Sequence, residues 1–85
     1  MKMCEFIIES DEGLHARPAA DFVDKSISYL SKITFEKDGE IFNAKSFTSV
    51  LSMGACKNDK IIIMVEGVDE EQAMDELTTF FYTLN

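Results

Sequence analysis

Tryptophan is absent, proline and histidine each occur once, and cysteine only twice among the 85 residues. The two cysteines, Cys4 and Cys56, are far apart with no histidine near either. That spacing excludes a zinc knuckle and fits free thiols in a reducing compartment. No apolar run approaches the roughly 18 residues that a membrane span requires. Met1 to Glu5 also lacks the basic and apolar order of a secretion leader, so a cytoplasmic protein with no direct membrane binding is expected. Positive charge is scarce, at 8 Lys and Arg against 16 Asp and Glu, a net −8. Such a chain repels a phosphate backbone, which excludes general nucleic-acid binding. Every basic residue lies at or before Lys60, while Glu66, Asp69, Glu70, Glu71, Asp75 and Glu76 follow without counter-charge. Read alone, that acidic segment is a solvated helix face.

What is present is enough for a fold. With 46% hydrophobic and 28% charged residues, the composition is globular, and the length predicts one domain over residues 1–85. Cys4-Glu5-Phe6-Ile7-Ile8 reads as a strand with Cys4, Phe6 and Ile8 inward. From Ala16 to about Ser28, Ala16, Ala19, Ala20, Val23 and Ile27 recur at helical spacing. Ile33–Lys37 and Glu40–Asn43 flank Asp38-Gly39, a pair suited to a type I′ hairpin turn. A helix of one or two turns follows Ser46, carrying Phe47, Val50 and Leu51, with Gly54 placed to stop it. Ile61 to Val65 is a β-branched run suited to a central strand. After Gly67, Asp69 and Gln72 form a capping-box-like pair ahead of Ala73, Met74, Leu77, Phe80, Phe81 and Leu84. The order β-α-β-β-α-β-α predicts an α+β two-layer sandwich, a four-stranded antiparallel sheet with helices on one face.

The chemistry concentrates in Gly13-Leu14-His15-Ala16-Arg17-Pro18-Ala19-Ala20. Pro18 is tolerated in a first helical turn, which places His15 at the N-cap and leaves the amides of Ala16 and Arg17 free. Free amides, a positive helix end and a guanidinium make an anion site. A neutral imidazole there is a good nucleophile toward phosphorus, and the resulting dianion suits amides and Arg17. Ser46 stands at a second N-cap, where its hydroxyl can bond an amide of the short helix.

These segments resemble the histidine-containing phosphocarrier (HPr) family of the phosphoenolpyruvate-dependent sugar phosphotransferase system. Gly13–Ala19 looks like its phosphorylation motif, and Asn43-Ala44-Lys45-Ser46 with Val50-Leu51-Ser52-Met53-Gly54 looks like its second signature. The resemblance implies that His15 accepts phosphate on Nδ1 from Enzyme I and passes it to the A component of a sugar permease. Arg17 would clamp the phosphate and the Ala16 and Arg17 amides would cradle it, with no metal or organic cofactor. Ser46 would be the target of a regulatory kinase and phosphorylase, its phosphate a ligand for a catabolite-repression transcription factor. Ala20, Phe47, Thr48 and Leu51 would line the partner surface of a monomer. Asp24 is unlike the basic residues the family turns toward an acidic Enzyme I, and Thr48 and Ser49 replace a large apolar and a small residue.

With one His and neither a second base nor a metal cluster, the chain is expected to be a phosphoryl-transfer intermediate rather than a stand-alone enzyme. The alternative is a paralogue acting as a regulatory binding module through Ser46, with little phosphoryl flux. A ferredoxin-like domain without chemistry would make both signatures coincidence.

Overall fold

The computed structural model describes residues 1–84, and the side chain of Leu84, predicted to join the last apolar stripe, lies outside the described residues. The elements are β1 (Lys2–Ile7), α1 (Ala16–Ile27), β2 (Lys32–Lys37), β3 (Glu40–Asn43), α2 (Phe47–Met53), β4 (Lys60–Glu66) and α3 (Glu70–Leu84). The four strands form one sheet in the order β1-β4-β2-β3, every neighbouring pair antiparallel.

That order makes two interleaved crossovers. β1 and β2 run parallel with β4 between them, and β3 and β4 run parallel with β2 between them. The first crossover moves one way across the sheet along an up strand, and the second moves back along a down strand. Right-handed connections, the overwhelming preference for such units, therefore place α1 and α2 on the same face. The buried residues agree: Phe6 in β1 and Ile8 just past it, Ile33 and Phe35, and Ile61, Ile63 and Val65 alternate with outward neighbours. The other face is open, leaving Met3, Ile7 and Ile41 exposed. Cys4 shares the inward face of β1 and is half-buried, and both thiols are free.

The core joins sheet and helices through aromatic rings. Phe22 on α1 lies 4.8 Å from Phe35, 5.4 Å from Phe80 and 5.2 Å from Phe81, centroid to centroid. Phe6 stacks on Phe81 at 5.0 Å, a spacing within the favourable range for aromatic pairs. This corrects the expected face of α1. Its buried residues are Pro18, Ala19, Phe22, Val23 and Ser26, whereas Ala16 is exposed, Ala20 half-buried and Ile27 exposed. Phe22, the largest apolar side chain of the helix, turns the stripe toward itself and carries Ile27 into solvent.

The capping pair on α3 is also different from expectation. The Asp69 carboxylate turns away from α3 and accepts from the Leu30 amide at 2.8 Å, the Ser31 amide at 2.9 Å and the Ser31 hydroxyl. Those bonds, the hydroxyl's first, hold its acid below the usual carboxylate range against the opposing effect of desolvation. Glu70 reaches back to the Gly67 amide instead, and Gln72 donates to Glu76. Burial, then the bond it donates to Glu76, keeps the Tyr29 hydroxyl protonated well above the ordinary phenol range.

The predicted hairpin and helix stop are present. Asp38 and Gly39 adopt φ of 54° and 83°, as a type I′ turn requires. α2 ends at Gly54 in the left-handed region.

Candidate functional site

His15 is the N-cap of α1, with extended backbone at φ −83° and ψ −170°. Its carbonyl accepts the first helical bond, from the Ala19 amide at 2.9 Å. Ala16 and Arg17 precede that bond, so their amides have no acceptor within the helix. No acidic residue occupies the first turn, so the positive end of the dipole is not neutralised from within α1. Pro18 and Ala19 are buried beneath this turn while Ala16 and Arg17 are exposed above it. The Arg17 guanidinium forms no ion pair among the described residues.

The segment leading to His15 is pinned from both sides. Gly13 adopts φ +66° and its amide donates to the Ser10 carbonyl at 3.0 Å. A Cβ at Gly13 would stand 2.4 Å from the Ala55 carbonyl oxygen and 2.9 Å from the Cys56 Cα, so only glycine fits here. Next along, Leu14 is buried and donates its amide to the same Ala55 carbonyl at 2.9 Å. The exit of α2 thus holds the entrance of α1. His15 stands at the N-cap as expected, and its side chain makes no capping bond. Instead Nε2 lies 2.6 Å from Oε2 of Glu12. Glu12 was not among the predicted site residues; its only signal in the sequence was an acid three residues before the N-cap histidine.

Ser46 is the N-cap of α2, as expected. Its hydroxyl accepts from the Ser49 amide at 3.3 Å and lies 3.2 Å from the Thr48 hydroxyl. Val50 donates its amide to the Ser46 carbonyl at 3.0 Å. The entry to α2 is tied further by Asn43, whose amide donates to the Ser49 hydroxyl and whose Oδ1 accepts from the Lys45 amide, both at 2.9 Å. Val50 and Met53 are the buried side of α2, while Phe47 and Leu51 remain 39% and 40% exposed and Thr48 is exposed. α1 packs against α2, with half-buried Ala20 on the first helix and the exposed apolar pair on the second.

An exposed imidazole at a helix N-terminus, beside first-turn amides without an intrahelical acceptor and an exposed arginine, suits a small anion or a phosphoryl group. The family profile described as "PTS HPr component phosphorylation site" matches residues 2–83. The chain belongs to the HPr family. The phosphocarrier protein HPr of Borreliella burgdorferi is 42% identical over 73 residues, which cover 86% of this chain and 85% of that protein. The HPr-like protein Crh of Halalkalibacterium halodurans is 43% identical over 68 residues, 80% of this chain and 81% of the relative. Among solved structures, HPr-C-His from Thermoanaerobacter tengcongensis aligns with a TM-score of 0.94 at 37% identity, covering 99% of this chain and 94% of that one. The fold of this chain is therefore the HPr open-faced sandwich. Within it, Asp24 is exposed on α1, and Thr48 and Ser49 both take part in hydrogen bonds at the start of α2.

Proposed function

We propose that this HPr-family chain carries a phosphoryl group on His15 Nδ1, accepting it from Enzyme I and passing it to the A component of a sugar permease. The observation that supports this most is the exposed His15 ring at the start of α1, beside the Ala16 and Arg17 amides and an Arg17 side chain that forms no ion pair among the described residues. Once phosphorylated, the ring bears a dianion that these donors hold by charge-assisted bonds. Such a site leaves the phosphorus open to the next acceptor, and each partner supplies the rest of the active site. In this reading the half-buried Ala20 and the exposed Phe47, Thr48 and Leu51 meet the partners, and the carrier works as a cytoplasmic monomer. No helix among the described residues is long and apolar enough to cross a membrane, in keeping with that role.

Labelled phosphoenolpyruvate, magnesium and Enzyme I from the same organism test the reading. An acid-labile, alkali-stable label should appear on the wild type and vanish in His15→Ala. A folded wild-type protein that takes no label refutes it.

A regulatory reading is favoured by Ser46, whose hydroxyl stands at the N-cap of α2 beside exposed Phe47. A phosphate of charge about −1.5 to −2 is tolerated at a helix N-terminus and changes what the surface binds. In that case a kinase and phosphorylase act on Ser46, and the phosphoserine form serves a catabolite-repression transcription factor. Mass gain at Ser46 with the kinase of the same organism, absent in Ser46→Ala, is the expected result. No gain on the wild type excludes the switch.

A further inference from the structure

Among the described residues the His15 ring pairs with the Glu12 carboxylate, and the contact decides which of its nitrogens is free. Oε2 of Glu12 lies 2.6 Å from Nε2 of His15. An ionised carboxylate only accepts hydrogen bonds, so the nitrogen that faces it carries the proton. In the neutral ring the other nitrogen, Nδ1, then holds the lone pair. We propose that Glu12 is a positioning residue, holding the His15 ring in the Nε2-protonated form so that Nδ1 is presented as the nucleophile toward phosphorus. The inference rests on the reading of His15 as the phosphoryl acceptor.

The backbone makes the contact more than a chance meeting of two surface side chains. Between Glu12 and His15, Gly13 donates to Ser10 at 3.0 Å and fits against Ala55 with no room for a Cβ. Leu14 is buried and bonded to Ala55 at 2.9 Å, and the His15 carbonyl is committed to the Ala19 amide. Both side chains therefore leave a fixed strip of chain.

The step balances without a proton transfer. The Nδ1 pair forms the new N–P bond while the donor's bond to phosphorus breaks, its electron pair leaving with the donor. The ring keeps its Nε2 hydrogen and becomes a cation facing the Glu12 carboxylate. In the onward step the acceptor attacks phosphorus, the N–P electron pair returns to Nδ1, and the ring is neutral again. Throughout, the carboxylate stays at Nε2, with the ring between it and the phosphoryl group.

The test compares wild type, Glu12→Ala and Glu12→Gln. Glu12 is 76% exposed at its side chain, so neither variant threatens the fold. Nitrogen-15 shifts of the His15 ring report the tautomer. Phosphorus-31 spectra after treatment with phosphoramidate, a small donor that needs no protein partner, report which nitrogen is phosphorylated. The wild type should show the Nε2–H form and the Nδ1 product. Glu12→Ala should show mixed tautomers and mixed products, with acceptance from phosphoramidate slowed about two- to five-fold, the scale of one exposed ion pair. Glu12→Gln, which retains an acceptor oxygen, should follow the wild type. Ring shifts, product and rate that are the same in Glu12→Ala and wild type overturn the inference while leaving the carrier reading intact. A wild type that reacts with phosphoramidate but takes no label from Enzyme I refutes the carrier reading, and the ring shifts still decide the role of Glu12.

Discussion

Replacing Gly13 with alanine should unfold the chain at much lower temperature and spoil the His15 site as well. Two effects act at this position. The left-handed backbone at φ +66° costs a residue with a Cβ about 1–2 kcal/mol. The new Cβ would also meet backbone, 2.4 Å from the Ala55 oxygen and 2.9 Å from the Cys56 Cα. Neither atom is the tip of a flexible side chain, so relief requires the two loops to part. Parting them breaks the 2.9 Å bond from Leu14 to Ala55 and leaves a buried amide unpaired, at about 1–3 kcal/mol. Reduced freedom of the unfolded chain returns about 0.4–1 kcal/mol. The net loss is about 2–4 kcal/mol, or roughly 10–30 °C in Tm for a domain of this size. Gly39→Ala is the control, because φ there is +83° with nothing within 4 Å of the added carbon. It should cost about 1 kcal/mol, from backbone strain alone. Thermal and urea unfolding of both variants, read by circular dichroism, measure the difference. A Gly13→Ala protein as stable as Gly39→Ala would refute the claim that the Ala55–Cys56 loop clamps the approach to His15.

Asp69 should shape the acid limb of stability. Because bonds from the Ser31 hydroxyl and the Leu30 and Ser31 amides lower its folded pKa, its contribution is complete above the unfolded value of about 3.9 and lost as pH falls through the lower folded one. Urea midpoints against pH should therefore fall less steeply below about pH 4 in Asp69→Asn than in wild type, from a lower neutral plateau; equal slopes would contradict this. Ser26 gives the opposite sign, because its buried hydroxyl has no partner among the described residues. Ser26→Ala removes an unsatisfied group and favours the helix, so a gain of about 1 kcal/mol in unfolding free energy is expected, and a loss in denaturant melts would expose a missed partner.

The elements were legible where local rules act alone. Asp38-Gly39 forms its turn from two residues, and Ile61–Val65 is a central strand because four of its five residues are β-branched, with Ile61, Ile63 and Val65 buried. Both family signatures are local too, so His15 and Ser46 appear at the N-caps where the chain pattern put them. What the sequence did not reveal depends on distant partners. The buried face of α1 is set by Phe22 meeting Phe35, Phe80 and Phe81, side chains from β2 and α3. Spacing alone ranked the small Ala16 and Ala20 equally with larger residues. The Asp69-to-Gln72 spacing suggested a cap, but the Asp69 carboxylate is claimed by Leu30 and Ser31, separated from it by 39 and 38 residues. Glu12 lay in a loop with no periodicity, so only coordinates could bring its oxygen to Nε2.

A net charge of −8 is an unlikely setting for holding phosphate until the ion pairs are placed. Glu70 faces the amino terminus at 3.1 Å, and Glu71 and Glu76 face Lys2 and Lys25, each at 3.5 Å. Three of the six acids beyond Lys60 are thus answered from the amino terminus, β1 and α1, so α3 is not a wholly free acidic surface. Arg17 is not drawn into these pairs, so its charge remains available beside His15. Exposed charges farther away than the roughly 8 Å Debye length are largely screened at physiological salt, so in the proposed carrier the amides, the guanidinium and the nearby Glu12 carboxylate decide how a phosphoryl group is held. Net charge acts instead on encounter, slowing approach to an acidic partner. In the proposed carrier role, the same exposure that weakens the grip keeps phosphorus open to the next acceptor. A buried, fully bonded cradle would hold the dianion better and release it worse, and a carrier has to do both.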